Sequence, residues 1–182
     1  MATVTQQTAI PTGIWKSDPV HSSVGFAVKH MVVGTFRGGF TDFGVTLDNT
    51  DGEPRLYGAV HVPSVDVRDE TLKGHLLAPD FLDGERTPEI IFTSTGIRSE
   101  GDELVVDGEL TIKDTTKSVQ ARGTIVGPTE SLGGDERIGI DLSTTVDRRD
   151  FGLNWNAKLP KGGLAVENAV TLTVRLELAK EE

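Results

Sequence analysis

Residues 166–178 read VENAVTLTVRLEL, with Val166, Val170, Leu172, Val174, Leu176 and Leu178 on one parity and Glu167, Thr171, Thr173, Arg175 and Glu177 on the other. A period of two is the side-chain period of extended backbone, so this segment carries one apolar and one polar face. The pattern recurs. Val119, Ala121, Gly123 and Ile125 alternate with polar neighbours, as do Ile138, Ile140, Leu142, Thr144 and Val146. A chain written this way is expected to form antiparallel sheet with one dry and one wet face.

The same reading predicts strands over 15–30, 31–47, 56–62, 90–97, 104–112, 117–126, 137–146 and 166–178. In the first, Val20, Val24, Phe26, Val28 and His30 share a parity. In the second, Phe36 and Phe40 lie on one parity and Phe43, Val45 and Leu47 on the other, which predicts a bulge near Gly38 and Gly39. Leu104, Val106, Gly108, Leu110 and Ile112 keep one parity through Asp107-Gly108, so that dipeptide is read as strand interior; Asp51-Gly52 is read as a turn. The one convincing helix starts at Asp69 as N-cap and runs through Leu72, Leu76 and Leu77 to Pro79. Its continuation carries Phe81 and Leu82 and breaks at Gly84 and Pro88.

The expected fold is therefore all-β: an extended eight-stranded antiparallel barrel with one short helix and a lid segment between strands 3 and 4. An even, hairpin-connected set of strands can close and remove its edges, although a two-sheet sandwich satisfies the same pattern. A single domain over 14–180 would follow a polar, flexible leader at 1–13. The first strand, at about 3.3 Å per residue, spans roughly 50 Å, or about 35–40 Å of barrel height once tilted. A tall, narrow, apolar tube suits a long hydrocarbon chain better than a compact metabolite.

Composition removes several other functions. The 182 residues include no Cys, which excludes disulfides, thiolate metal sites and thiol catalysis. A formal net charge of −10 opposes binding to nucleic-acid phosphates and to anionic lipid surfaces. The opening MATVTQQTAIPTG has no basic segment followed by an apolar run, and no run of apolar residues is long enough for a membrane helix, so a soluble cytoplasmic protein without stable membrane insertion is expected. His21, His30, His61 and His75 form no close pair that would nucleate a metal site. Asp48 to Glu53 resembles a calcium loop only superficially, because its twelfth position is Ala59. With no G-x-S-x-G, S-x-x-K or phosphate-binding glycine loop either, no catalytic residue, metal or cofactor is expected.

Candidate binding residues are those whose parity turns them inward. Val24, Phe26, Val28, Phe36, Val60, Phe92, Leu110 and Val119 would be core in any globular protein; here some are expected to line an unfilled lumen. Leu72, Leu76 and Phe81 would cap one end or form a lid. His30 ends its strand where a lumen would meet solvent, and Arg37, with Lys29 nearby, could join it on an anionic or polar head group; the alternative for these cations is ordinary surface charge. Arg148 and Arg149 precede Asp150-Phe151-Gly152 and are read as holding a turn through a carboxylate or a carbonyl.

The stretch SDPVHSSVGFAVKHMVVGTFRGGFTDFGVTLD at 17–48 resembles the opening of the YceI-like family, with its D-x-x-H-S segment, F-x-V-K-H strand and G-x-F return. RDETLKGHLLAPDFLDGERTP at 68–88 is similar to the family's helix and lid, and VDRRDFGL at 146–153 to its R-x-D-F-G turn. Thr87 stands before Pro88 where the family commonly has an aromatic residue, and LTIKDTTKSV replaces a more usual Gly-containing hairpin. The resemblance implies a lipocalin-like barrel that binds polyisoprenoid or other long amphiphilic lipids in its lumen, in members that often pair as homodimers. The expected function is binding, carriage or sequestration of a long-chain isoprenoid or similar lipid. An enzyme using His30 on a hydrophobic substrate, and a dry barrel serving as a structural or protein-interaction module, are the alternatives.

Overall fold

The computed structural model describes residues 9–182. Its strands are β1 (Gly13–Ser17), β2 (Ser23–His30), β3 (Gly34–Phe40), β4 (Phe43–Asn49), β5 (Arg55–His61), β6 (Val65–Asp66), β7 (Glu89–Glu100), β8 (Glu103–Ile112), β9 (Thr115–Glu130), β10 (Glu136–Asp147) and β11 (Val166–Lys180). The helix α1 (Glu70–Leu77) lies between β6 and β7. All pairings are antiparallel, in the order β1-β4-β5-β7-β8-β9-β10-β11, and β1 returns to pair with β11. The ring is thus closed, which decides for the barrel over the sandwich.

Both β1 and β2 pair with β11, and β3 and β4 continue around the ring from them, so each couple is one long strand interrupted in the middle. Counted that way the barrel has eight strands. The first interruption has a plain cause. Ser17 opposes Leu178 and Ser23 opposes Arg175, so residues 18–22 face only two residues of β11 and must loop out. The Ser22 hydroxyl fills the gap in the ladder, donating to the Glu177 carbonyl (3.2 Å) and accepting from the Glu177 amide (3.0 Å). Because an odd number of residues loops out, the inward parity changes: Trp15 and Val24 both point inward. Val20, expected on the apolar stripe, lies in this loop and is exposed.

The second interruption also corrects an expectation. Gly38 and Gly39 sit in unbroken register opposite Phe26 and Gly25. The parity of β3 and β4 changes instead at Thr41 and Asp42, whose amides are held by the Ser64 carbonyl (3.2 Å) and hydroxyl (3.0 Å). Gly38 has a packing role, since a Cβ there would overlap the Phe26 ring. The first eight positions of the expected leader lie outside the described residues; the last of it is tied down, because the Asn49 amide donates to the carbonyls of Ile10 (3.0 Å) and Pro11 (3.3 Å).

Charge collects around the 18–22 loop. Arg137 donates to Asp18 (2.7 Å), Glu177 (2.8 Å) and Asp135 (2.8 Å), and His21 lies 3.0 Å from Asp18. Ligand atoms of Asp18, His21 and Glu177 fall within 4.8 Å of one another, but the Arg137 guanidinium already bridges the two carboxylates. The His21 and Arg137 hydrogen bonds hold the Asp18 carboxyl well below the usual carboxylate range, and Asp18 in turn raises His21. A depressed carboxyl contributes stability above its ordinary value near pH 4 and loses it as pH falls; a raised imidazole contributes below about 6.5 and loses it as pH rises through its folded-state value. The link between them is therefore strongest between roughly pH 4 and 6.5. Asp18→Asn should flatten the acid limb: its urea midpoint should fall less than that of the wild type between pH 5 and pH 3. Parallel pH curves would contradict this.

Candidate functional site

One half of the barrel is dry. Trp15, Leu47, Leu104, Val106, Ile138 and Leu178 are each at most 2% exposed and plug the end formed by β1. Toward the opposite end two cavities follow one another along the axis. The narrower, about 150 Å³, is lined in part by Val24, Val60, Phe92, Leu110 and Val119. The wider, about 350 Å³, is lined in part by Phe26, Val28, Phe36, Leu72, Leu76 and Phe81. Phe40, Ile90, Ile112 and Leu172 line both, so the two cavities adjoin at a shared waist along one apolar shaft. Every residue expected on the lumen wall thus faces the shaft, and every expected lid residue faces its wide chamber. The small side of β8 helps shape it: a Cβ at Gly108 would overlap the Phe92 ring.

The lid is a fixed structure. Asp69 caps α1 by accepting from the Leu72 amide (2.8 Å), with Glu70 in the first turn. The chain then folds back under the helix, with the Leu82 and Gly84 amides donating to the carbonyls of Leu76 and Leu77 (both 3.0 Å). Thr87 donates its hydroxyl to the Leu82 and Asp83 carbonyls (both 3.0 Å). Arg86 joins Asp83 (2.7 Å) to Asp114 (2.5 Å), fastening the lid to the β8–β9 turn. Over the chamber, His75 makes edge contacts with Phe81 (4.8 Å between centroids) and Trp155 (4.9 Å).

His30 and Arg37 do not come together. His30 lines the wide chamber and is exposed, so the chamber wall reaches solvent there. Arg37 pairs with Ala27, on the opposite parity from Phe36, and is exposed on the outer surface. A one-residue offset along a strand reverses the face, and that corrects the expected head-group pairing. The β2–β3 connection is unusually tight: Met31 (φ 51°) and Val32 (φ 68°) both occupy the left-handed region, where a β-branched residue is an outlier.

A family model described as a YceI-like domain matches residues 15–178. The chain belongs to the YceI-like family. It is 29% identical to Protein YceI of Escherichia coli O157:H7 over 136 residues, covering 73% of this chain and 71% of that protein. BcnA of Burkholderia cenocepacia superposes with a TM-score of 0.74 at 22% identity, over 88% of this chain and 98% of that one. A polyisoprenoid-binding domain from Saccharophagus degradans, implicated in plant cell wall breakdown, does so with a TM-score of 0.66 at 12% identity, over 94% of this chain and 100% of that one. At such identities the likeness establishes the barrel.

In this YceI-like barrel the R-x-D-F-G turn supplies chamber residues that strand periodicity missed. Arg148, Phe151, Leu153 and Trp155 all line the wide chamber. The signal was present in 151–156, where Phe151, Leu153 and Trp155 alternate with Gly152, Asn154 and Asn156, but the stretch is too short and too glycine- and asparagine-rich to read as strand. The two arginines divide as carbonyl and carboxylate ties. Arg149 pairs with Asp147 (2.6 Å), which holds that carboxyl down at about 2. Arg148 is buried and donates to the carbonyls of Leu153 (2.7 Å), Trp155 (2.8 Å), Glu167 (3.0 Å) and Val166 (3.4 Å). Among the described residues no helix is long and apolar enough to cross a membrane.

Proposed function

We propose that this YceI-like protein binds a long-chain isoprenoid or similar amphiphilic lipid in the shaft, and so carries or sequesters it without chemical change. The observation that carries the reading is the pair of apolar cavities that adjoin at Phe40, Ile90, Ile112 and Leu172 beneath the α1 lid. The wide chamber alone, about 350 Å³, reaches the lower end of what small-molecule sites use, about 300–1,000 Å³, and the narrow one adds about 150 Å³ to it. Val24, Phe26, Val28, Phe36, Val60, Phe92, Leu110 and Val119 would contact the tail, with Leu72, Leu76 and Phe81 above it. Each methylene removed from water contributes about 0.8 kcal/mol, so ten contribute roughly 8 kcal/mol before the cost of immobilising both partners. The dry-barrel alternative describes only the end plugged by Trp15 and Leu178. The solved structure from Saccharophagus degradans, a polyisoprenoid-binding domain, supports the same ligand class. Cytoplasmic residence and a homodimeric assembly complete the reading.

Native mass spectrometry of the protein as isolated is the test. The expected result is a mass excess that dissociates on activation and is identified as one long-chain lipid per subunit. Protein that remains free of lipid after incubation with polyprenol-containing liposomes would overturn the reading.

A further inference from the structure

The polar side chains of the wide chamber are not a random sample of this chain. Acidic residues outnumber basic ones 28 to 18 overall, yet among the described residues the chamber wall contains His30, His75 and Arg148 and no carboxylate. Arg148 is the fixed charge among them. It is 5% exposed, and the carboxylate of the adjacent Asp147 is committed to Arg149. Four backbone carbonyls satisfy the Nε hydrogen, both hydrogens of one terminal nitrogen and one hydrogen of the other, the last through a long contact of 3.4 Å. One N–H of the planar fork is therefore unassigned.

Carbonyl dipoles orient a guanidinium without neutralising it. A charge withdrawn from water bears a large desolvation cost, and an opposite charge reaching it inside a low-dielectric chamber is attracted far more strongly than at the surface. Burial lowers the Arg148 pKa by more than the neighbouring Asp147 charge raises it, but a guanidinium remains protonated. The same carbonyl bonds tie 153–167 across the chamber end, so the cation is held rigidly at the wall and an incoming oxyanion would need no rearrangement of it. Arg37, on the outer face, cannot serve this purpose.

We propose that Arg148 recognises an oxyanion, so that the guest is a long-chain amphiphile with an acidic head, a carboxylate or a phosphate ester, seated beneath α1 with its tail passing the waist into the narrow chamber. This rests on the lumen-binding reading above. Matched eighteen-carbon ligands test it: oleate, oleyl phosphate and oleyl alcohol, titrated into delipidated wild-type protein at low salt. At least one of the two anions should bind about tenfold or more tightly than the alcohol, as a charge-assisted hydrogen bond implies, and comparison of the two anions identifies the preferred head. Arg148→Met should lose this preference, binding the two anions no more tightly than it binds the alcohol. Equal affinities for all three in the wild type would overturn the proposal and leave the lumen reading intact. An anion preference that survives in folded Arg148→Met would overturn the assignment to Arg148. If none of the three binds, the lumen reading itself falls.

Discussion

Val170→Trp is expected to empty the barrel of lipid while leaving it folded. Val170 sits on β11 opposite Val28 and Val146, and all three line the wide chamber. An indole at this position extends into open space of about 350 Å³, and so avoids the cost of about 1–3 kcal/mol that overpacking imposes in a filled core. It also blocks the route past Phe40, Ile90, Ile112 and Leu172 to the narrow chamber. Lipid recovered with the purified variant should fall at least tenfold, with the urea midpoint within about 1 kcal/mol of the wild type. Glu109→Ala, on the outer face of β8 beside lumen-facing Leu110, should retain wild-type lipid. Unchanged lipid in Val170→Trp would mean that the guest lies elsewhere.

The largest loss of stability is expected at the other end. Trp15→Ala should cost about 3–5 kcal/mol, the range for truncating a buried Phe or Trp. Trp15 is 1% exposed among Leu47, Leu56 and Leu178, and its strand supplies both partners that close the ring, pairing with β4 on one side and β11 on the other. A cavity there weakens the closure as well as the core. Trp15→Phe should cost much less, below about 1.5 kcal/mol, because the ring is kept and the buried Nε1 that is removed has no hydrogen-bond partner among the described residues. Equilibrium urea unfolding of the two variants measures both, and a smaller loss for alanine than for phenylalanine would contradict this account. The asymmetry between the two ends is the functional point. Stability is concentrated where Trp15 and Leu178 fill the barrel, and this permits the opposite end to remain hollow.

Strand periodicity located all eight barrel strands because alternation reports directly which side chains leave water. The same parity selected the lumen wall: Val24, Phe26, Val28, Phe36, Val60, Phe92, Leu110 and Val119 all face the shaft. Parity fails wherever an odd insertion resets it. The 18–22 loop removed Val20 from the inner face, and the break at Thr41 and Asp42 did the work expected of Gly38 and Gly39. Arg37 is close to His30 along the chain but outside the chamber in space, because neighbours on a strand point to opposite sides and its own neighbour Phe36 takes the inner one.

From its sequence alone, this protein was bound to be antiparallel sheet with one apolar face, a capped helix at Asp69 and a family R-x-D-F-G turn, since each of these depends on neighbours a few residues apart, whereas closure into a barrel rather than a sandwich came from the pairing of β1 with the distant β11. Only the tertiary structure decided that the interior is filled at the Trp15 end and hollow at the other. It also decided that Arg148, from a loop without periodicity, stands in the hollow half. Packing and unoccupied volume depend on which side chains meet across the barrel axis, and that is set by closure and register between strands far apart in the chain.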